Sequence, residues 1–119
     1  MKYLLLIHQG DTPTPRDPEA WARLPEDEQK AVYADYQAIN QTPGVTPGLG
    51  LDSPETATTV RVEDGKTLTT DGPFVAVKEA LGGYLVYEAD DVDAAIDLAA
   101  RIPAARLGGA VEVRRIVEW

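Results

Sequence analysis

The run Asp71-Gly72-Pro73-Phe74 combines a turn with a side chain that could do chemistry. Gly72 and Pro73 predict a tight reversal of the backbone between Asp71 and Phe74. Asp71 could accept hydrogen bonds from turn amides and still offer a carboxylate oxygen for acid/base work. The competing interpretation is a purely structural cap of the turn, which is the commoner role for such an aspartate.

His8 is the second candidate and the only histidine in the sequence. It follows an apolar run and precedes Gln9-Gly10-Asp11, so it is expected at a strand end, where pockets commonly open. If the fold brings Asp71 close, the carboxylate could orient the imidazole as a proton acceptor and form an acid/base dyad. The alternative is a strand-end histidine that is hydrogen-bonded to the backbone.

The pair Lys78-Glu79 precedes an apolar stretch that ends in Gly82-Gly83-Tyr84. Lys78 could bind an anionic or polar ligand, although a surface ion pair is the competing interpretation. Apolar neighbours favour the protonated form of a carboxylic acid, so Glu79 is a further acid/base candidate. The other predicted substrate-binding groups are Arg61, Tyr84 and, as a pocket wall, Phe74.

The composition argues against several classes of site and partner. The sequence contains no cysteine and a single histidine, so neither thiolate ligands nor a histidine pair can hold a metal, and we predict no metal and no cofactor. The formal charge is −9, from 20 acidic and 11 basic residues. The electric field of a negatively charged protein repels phosphate backbones and anionic membranes, so nucleic acid and membrane partners are not expected.

The amino terminus predicts a cytoplasmic protein. Met1-Lys2 leads into about six apolar residues, which is shorter than the core of a signal peptide and far shorter than a membrane span.

Hydrophobic periodicity predicts the order β-α-β, hairpin, β-α-β. Asp17 is expected to be a helix cap, followed by a short turn that carries Trp21, ahead of the first long helix. Asp90-Asp91 is expected to cap the last helix. The predicted elements are a strand at 3–8, a helix from Pro25 to near Asn40, a short strand at 49–51, a hairpin of 56–62 and 66–70 around Asp64-Gly65, a strand at 83–88, a helix from Asp91 to Pro103 and a strand at 111–117.

This order predicts an α+β fold over residues 1–119 as one domain, a split βαβ arrangement with an inserted hairpin. Both helices would cover the same face of an antiparallel sheet. The first strand is apolar on both faces, so Leu4 and Leu6 would be left on an uncovered face. Association of two sheets face to face would bury them, so we expect a homodimer.

Several motifs in order resemble the DGPF-domain, YCII-related family: Asp71-Gly72-Pro73-Phe74, Lys78-Glu79, Gly82-Gly83-Tyr84 and Glu112-Val113-Arg114, with the apolar start of the chain. The resemblance implies a ferredoxin-like domain that pairs into a dimeric α/β barrel with a pocket in each protomer. It also implies a His-Asp pair whose histidine lies on the first helix. That helix has no histidine here, so His8 is predicted as the substitute.

The resulting hypothesis is a dimeric α/β-barrel protein that binds an unidentified small molecule. His8, Asp71 and Glu79 would support acid/base or hydrolytic chemistry without a cofactor. The alternative is a non-catalytic accessory or protein-interaction module associated with transcription regulation, since similar domains are sometimes joined to sigma-factor-like regulators. The net acidity disfavours direct DNA contact, so this alternative predicts a protein partner.

Overall fold

The computed structural model of the chain describes residues 1–72 and 81–118. Its strands are β1 (Lys2–His8), β2 (Val45–Gly50), β3 (Thr58–Glu63), β4 (Lys66–Asp71), β5 (Leu81–Glu88) and β6 (Ala110–Arg115). Its α-helices are α1 (Pro18–Arg23), α2 (Glu26–Asn40) and α3 (Val92–Ala100), with short 3-10 turns at Pro54–Thr56 and Pro103–Ala105.

Four strands form an antiparallel sheet in the order β2-β5-β1-β6. In its centre, Leu5 of β1 lies opposite Leu85 of β5 and Val113 of β6. This arrangement confirms the predicted α+β class and is compatible with a ferredoxin-like fold. The dimer and the barrel stay predictions.

The core lies on one face of this sheet. Alternate β1 residues Tyr3, Leu5 and Ile7 are buried there, since successive side chains of a strand point to opposite faces. The helices contribute fully or almost fully buried residues, among them Ile39 of α2 and Leu98 of α3. Leu4 and Leu6 point to the opposite face, as the sequence predicts, and this face is called the open face below.

Both helix caps predicted from aspartates are present. The Asp17 carboxylate accepts a hydrogen bond from Ala20 N at the start of α1, and the Asp91 carboxylate accepts one from Ala94 N at the start of α3. The region around Trp21 is a helix rather than the expected turn. It is stabilised by Gln29 of α2, whose Nε2 donates 2.9 Å hydrogen bonds to the carbonyl oxygens of Trp21 and Leu24.

Strand β2 begins earlier than the predicted strand at 49–51. Pro47 lies within it, which is tolerated because β2 is an edge strand and one side of its backbone needs no ladder partner. The register against β5 shifts between Pro47 and Gly50. This irregular stretch brings the end of β2 close to the loop that follows β1, as described below.

The predicted hairpin is confirmed as a two-stranded sheet of β3 and β4. Its turn residues Asp64 (φ 51°) and Gly65 (φ 74°) both have positive φ, as a primed two-residue turn requires. Val60 and Val62 of β3 are 59% and 68% exposed. The hairpin therefore presents β-branched apolar side chains to its surroundings.

We expect Arg106 to stabilise the contact between α2 and the segment after α3. Its Nη2 lies 2.8 Å from Glu28 Oε1 and its Nη1 lies 2.7 Å from Asp35 Oδ2. Arg106→Gln should lower the free energy of unfolding by about 1 kcal/mol, measured by urea denaturation, because two partly exposed carboxylates lose a shared cation.

Lys30→Gln is the matched control for this prediction. This substitution breaks the ion pair between Lys30 and Glu26, whose side chains are 77% and 83% exposed, respectively. It should lower the free energy of unfolding by less than about 0.5 kcal/mol. Equal losses of stability in the two variants would contradict the assignment.

Candidate functional site

A cavity of about 1060 Å³ opens between the helical layer and the end of the sheet at which β1 ends and β5 begins. Ile7 and Leu85 contribute from the sheet, while Val32 and Tyr36 contribute from α2. The volume lies at the upper limit of small-molecule pockets, which span roughly 300–1,000 Å³. The space is therefore large enough for a small organic ligand.

Two connecting segments complete the described lining of the cavity. The first is the loop after β1, with Pro13 and Pro15, and the second runs from Pro47 to Glu55, with Leu49 and Leu51. Proline fixes its own φ, so this loop has fewer conformations to lose when a ligand binds. The walls are predominantly apolar, as is usual for ligand pockets.

Gly82, part of the predicted glycine pair, lets the loop after β1 approach β5 closely. A Cβ atom at Gly82 would lie 2.1 Å from Cγ of Gln9, so any larger residue would displace the Gln9 side chain. Both residues line the cavity. The glycine pair thus shapes a pocket wall.

The described lining of the cavity also carries polar side chains, and several of these have local partners. Burial raises the pKa of the Tyr36 phenol, so this hydroxyl stays neutral at ordinary pH. The hydroxyl of Ser53 donates to Glu55 and, with a backbone hydrogen bond, holds the pKa of that carboxyl below its usual range. Asp52 accepts a hydrogen bond from Ser53 N at 2.7 Å.

The sequence-predicted candidates are distributed over several elements. Tyr84 lines the cavity, and its ring lies against Gly48 of β2. Asp71 is the last residue of β4, opposite Thr58, and Arg61 lies on β3 opposite Leu68. His8, Arg61 and Asp71 are not among the described lining residues. The remaining predicted residues, Phe74, Lys78 and Glu79, lie outside the described residues.

His8 has a carboxylate partner that the sequence analysis missed. Its Nε2 lies 3.2 Å from Glu112 Oε1 of β6, and the two side chains are 26% and 38% exposed. The proposed contact between His8 and Asp71 stays a prediction. Glu112 could not be assigned from its motif because its position beside His8 depends on the pairing of β1 with β6, across 104 residues of sequence.

Glu112 also accepts a hydrogen bond from Nε of Arg114, its neighbour on the open face. Arg114 is the main cause, and His8 a further one, of a pKa of Glu112 below the usual range of a glutamate. The open face thus carries a polar row of Arg114, Glu112 and His8 beside apolar Leu4 and Leu6. A carboxylate that stays ionised can hold the imidazole in one orientation, as acid/base chemistry needs.

Metal binding finds little support in the parts of the chain that the structure describes. Within residues 1–72 and 81–118, no three side chains of histidine, cysteine, aspartate or glutamate lie close enough together to hold an ion. None of the helices in these ranges is long and apolar enough to cross a bilayer.

Arg114→Gln should raise the pKa of Glu112 toward its ordinary value, and His8→Gln should raise it by less. NMR titration of the assigned Glu112 carboxyl carbon measures both shifts. The pKa of Glu112 is lower in the folded chain than in the unfolded one. Ionised Glu112 therefore stabilises the folded chain at pH values above its unfolded pKa, and this stabilisation is lost as the pH falls through its folded pKa.

Arg115→Gln is the control for this titration. Arg115 lies opposite Tyr3, on the other face of the same strand, and its replacement should leave the pKa of Glu112 unchanged. A rise as large as that in Arg114→Gln would show that general charge, rather than the described contact, lowers the pKa.

Comparison with known proteins identifies the family of this chain. An uncharacterized protein, R00369 from Rhizobium meliloti (strain 1021), is 29% identical over 119 residues, which cover 96% of this chain and 90% of the relative. The family model of the YCII-related domain matches residues 1–119. The chain therefore belongs to the YCII-related domain family.

Proposed function

We infer that this protein binds a small organic molecule in the cavity between α2 and the sheet. The observation that carries this proposal is the cavity itself, about 1060 Å³ with predominantly apolar walls. Burial of an apolar ligand there is favoured by roughly 25 cal/mol for each Å² of apolar surface removed from water. Gln9 and Tyr36 are the kind of sparse polar groups that orient a ligand within such walls.

The second candidate function is acid/base or hydrolytic chemistry at the open face, without a cofactor. The 3.2 Å contact between His8 and Glu112 favours it, because a histidine oriented by a carboxylate is suited to accept and return a proton. His8 would carry the proton and Glu112 would orient it. Asp71 and Glu79 stay proposed partners of this chemistry.

We also propose that the protein acts as a homodimer joined through the open face, so that any chemistry at His8 and Glu112 would take place between the two protomers. Leu4 and Leu6 of β1 share this face with Val86 of β5, which lies opposite Leu4. Burial of these side chains against a second copy would stabilise the pair. A two-stranded hairpin is at best marginally stable alone in water, so packing of β3 and β4 against the partner would also account for its exposed valines.

The cavity also bears on the rival hypothesis of a non-catalytic interaction module. Such a module needs an exposed surface but no internal space, whereas this chain places Val32 and Tyr36 of its main helix at a pocket. Ligand binding is therefore the function that the geometry supports best.

Filling the cavity should abolish binding of a neutral apolar probe. Val32 is buried and lines the cavity, so Val32→Phe places additional ring atoms in the space that the ligand would use. The fluorescence increase of N-phenyl-1-naphthylamine should saturate in the wild type. The dissociation constant of this probe should rise at least about tenfold in Val32→Phe, which corresponds to a loss of about 1.4 kcal/mol of binding free energy.

Val62→Phe is the matched control, since Val62 is exposed on the hairpin and does not line the cavity. A backbone amide NMR spectrum of each variant establishes that it is folded. Full binding by folded Val32→Phe, or an equal loss in Val62→Phe, would contradict the proposed site.

Replacement of Leu6 by lysine should separate the proposed dimer. Light scattering coupled to size exclusion should give twice the chain mass of 12.9 kDa for the wild type and the single mass for Leu6→Lys. Glu112 lies opposite position 6, but removal of the lysine ammonium and this carboxylate from water in the interface would cost more than their attraction returns. Ile96→Lys, on the exposed side of α3, should remain dimeric. A wild type that elutes with the single mass would overturn the dimer proposal.

A further inference from the structure

Arg16 differs from the other charged residues at the cavity in having no local partner among the residues that the structure describes. It is the one basic residue in the described lining, beside the carboxylates Asp17, Asp52 and Glu55. Each of these carboxylates accepts a hydrogen bond from a nearby amide or hydroxyl. Within residues 1–72 and 81–118, Arg16 makes no hydrogen bond and no ion pair. Its guanidinium donors are therefore available to a ligand.

The position of the Arg16 guanidinium depends on Gly50 at the end of β2. A Cβ atom on Gly50 would lie 2.8 Å from Nη2 and 3.9 Å from Cζ of Arg16, so the guanidinium covers the bare Cα of this glycine. Gly50 and Leu51 belong to the same wall of the cavity. The cation is thus held at the mouth of an apolar space.

The loop that carries Arg16 contains Pro13 and Pro15, whose fixed φ angles restrict it. A restricted loop loses less conformational freedom when a ligand binds. A planar guanidinium can donate two parallel hydrogen bonds to a carboxylate, which gives orientation as well as affinity. Arg16 therefore has the chemistry of an anchor for one end of a ligand.

We propose that the ligand of this cavity is a monocarboxylic acid with an apolar body, anchored by Arg16. This inference rests on the proposed ligand-binding function and specifies its substrate class. The apolar body would lie against Ile7, Val32 and Leu85, and the carboxylate would meet the guanidinium at the mouth. A doubly charged phosphate ester fits less well, because the neighbouring Asp17, Asp52 and Glu55 would repel it more strongly than a single negative charge.

The test uses three probes that share one apolar body: 4-phenylbutanoate, 4-phenylbutanamide and 4-phenylbutylamine. Their dissociation constants are measured from amide shifts of ¹⁵N-labelled full-length protein, with attention to Gly50 and Gly82 at the cavity wall. The acid should bind more tightly than the amide to the wild type. Arg16→Gln should weaken the acid about tenfold and leave the amide unchanged, an effect limited by the exposure of Arg16 to solvent.

Arg23→Gln is the matched control, because Arg23 is also exposed, lies on the adjacent α1 and does not line the cavity. It should leave all three affinities unchanged. The inference would be overturned if the acid and the amide bound equally well to the wild type, or if the amine bound more tightly than the acid. It would also be overturned if Arg16→Gln left the affinity for the acid unchanged. In each case the ligand-binding proposal would stand. Failure of all three probes to bind would contradict both.

Gly50→Ala tests the placement of the guanidinium without removing it. The new methyl group would meet only the flexible end of Arg16, so the fold should tolerate it. It should weaken the acid and spare the amide, in the same direction as Arg16→Gln. An acid affinity equal to that of the wild type would overturn the position assigned to Arg16 over Gly50.

Discussion

The pairing of Leu5 with Leu85 at the centre of the sheet is the contact on which the rest of the structure depends. Both side chains are buried beneath the helices, and a slip of one residue would turn each strand's core side chains toward the open face. This register places Ile7 opposite Gly83 at the strand ends. A Cβ atom at Gly83 would lie 3.3 Å from the carbonyl oxygen of Leu49, so the glycine lets the end of β2 approach β5 where the cavity opens.

The same register gives the two faces of the sheet different chemistry. The helical face combines the apolar core with the cavity and with Arg16, which has no partner in the described part of the chain. The open face combines the apolar Leu4 and Leu6 with the polar row of His8, Glu112 and Arg114. A binding function and an acid/base function are thus supported by different surfaces, and the cavity lies on the helical one.

Much of the fold could be predicted because its signals are local. Alternation of apolar residues predicts β1, the aspartate caps predict helix starts, and Asp64-Gly65 predicts the hairpin turn. The site was predicted less well because it depends on contacts between distant segments. The partnership of His8 with Glu112 needs the strand order, and the approach of Arg16 to Gly50 needs the paths of two loops. No periodicity in the sequence encodes either one.

The most direct test of the central claim is the position of a bound probe. Intermolecular NOEs between N-phenyl-1-naphthylamine and the methyl groups of the full-length protein would locate it without any substitution. The account predicts NOEs to Ile7 and Val32, which face the cavity from the sheet and from α2. NOEs confined to Leu4 and Val86 would place the probe on the open face and contradict the claim that the cavity is the binding site.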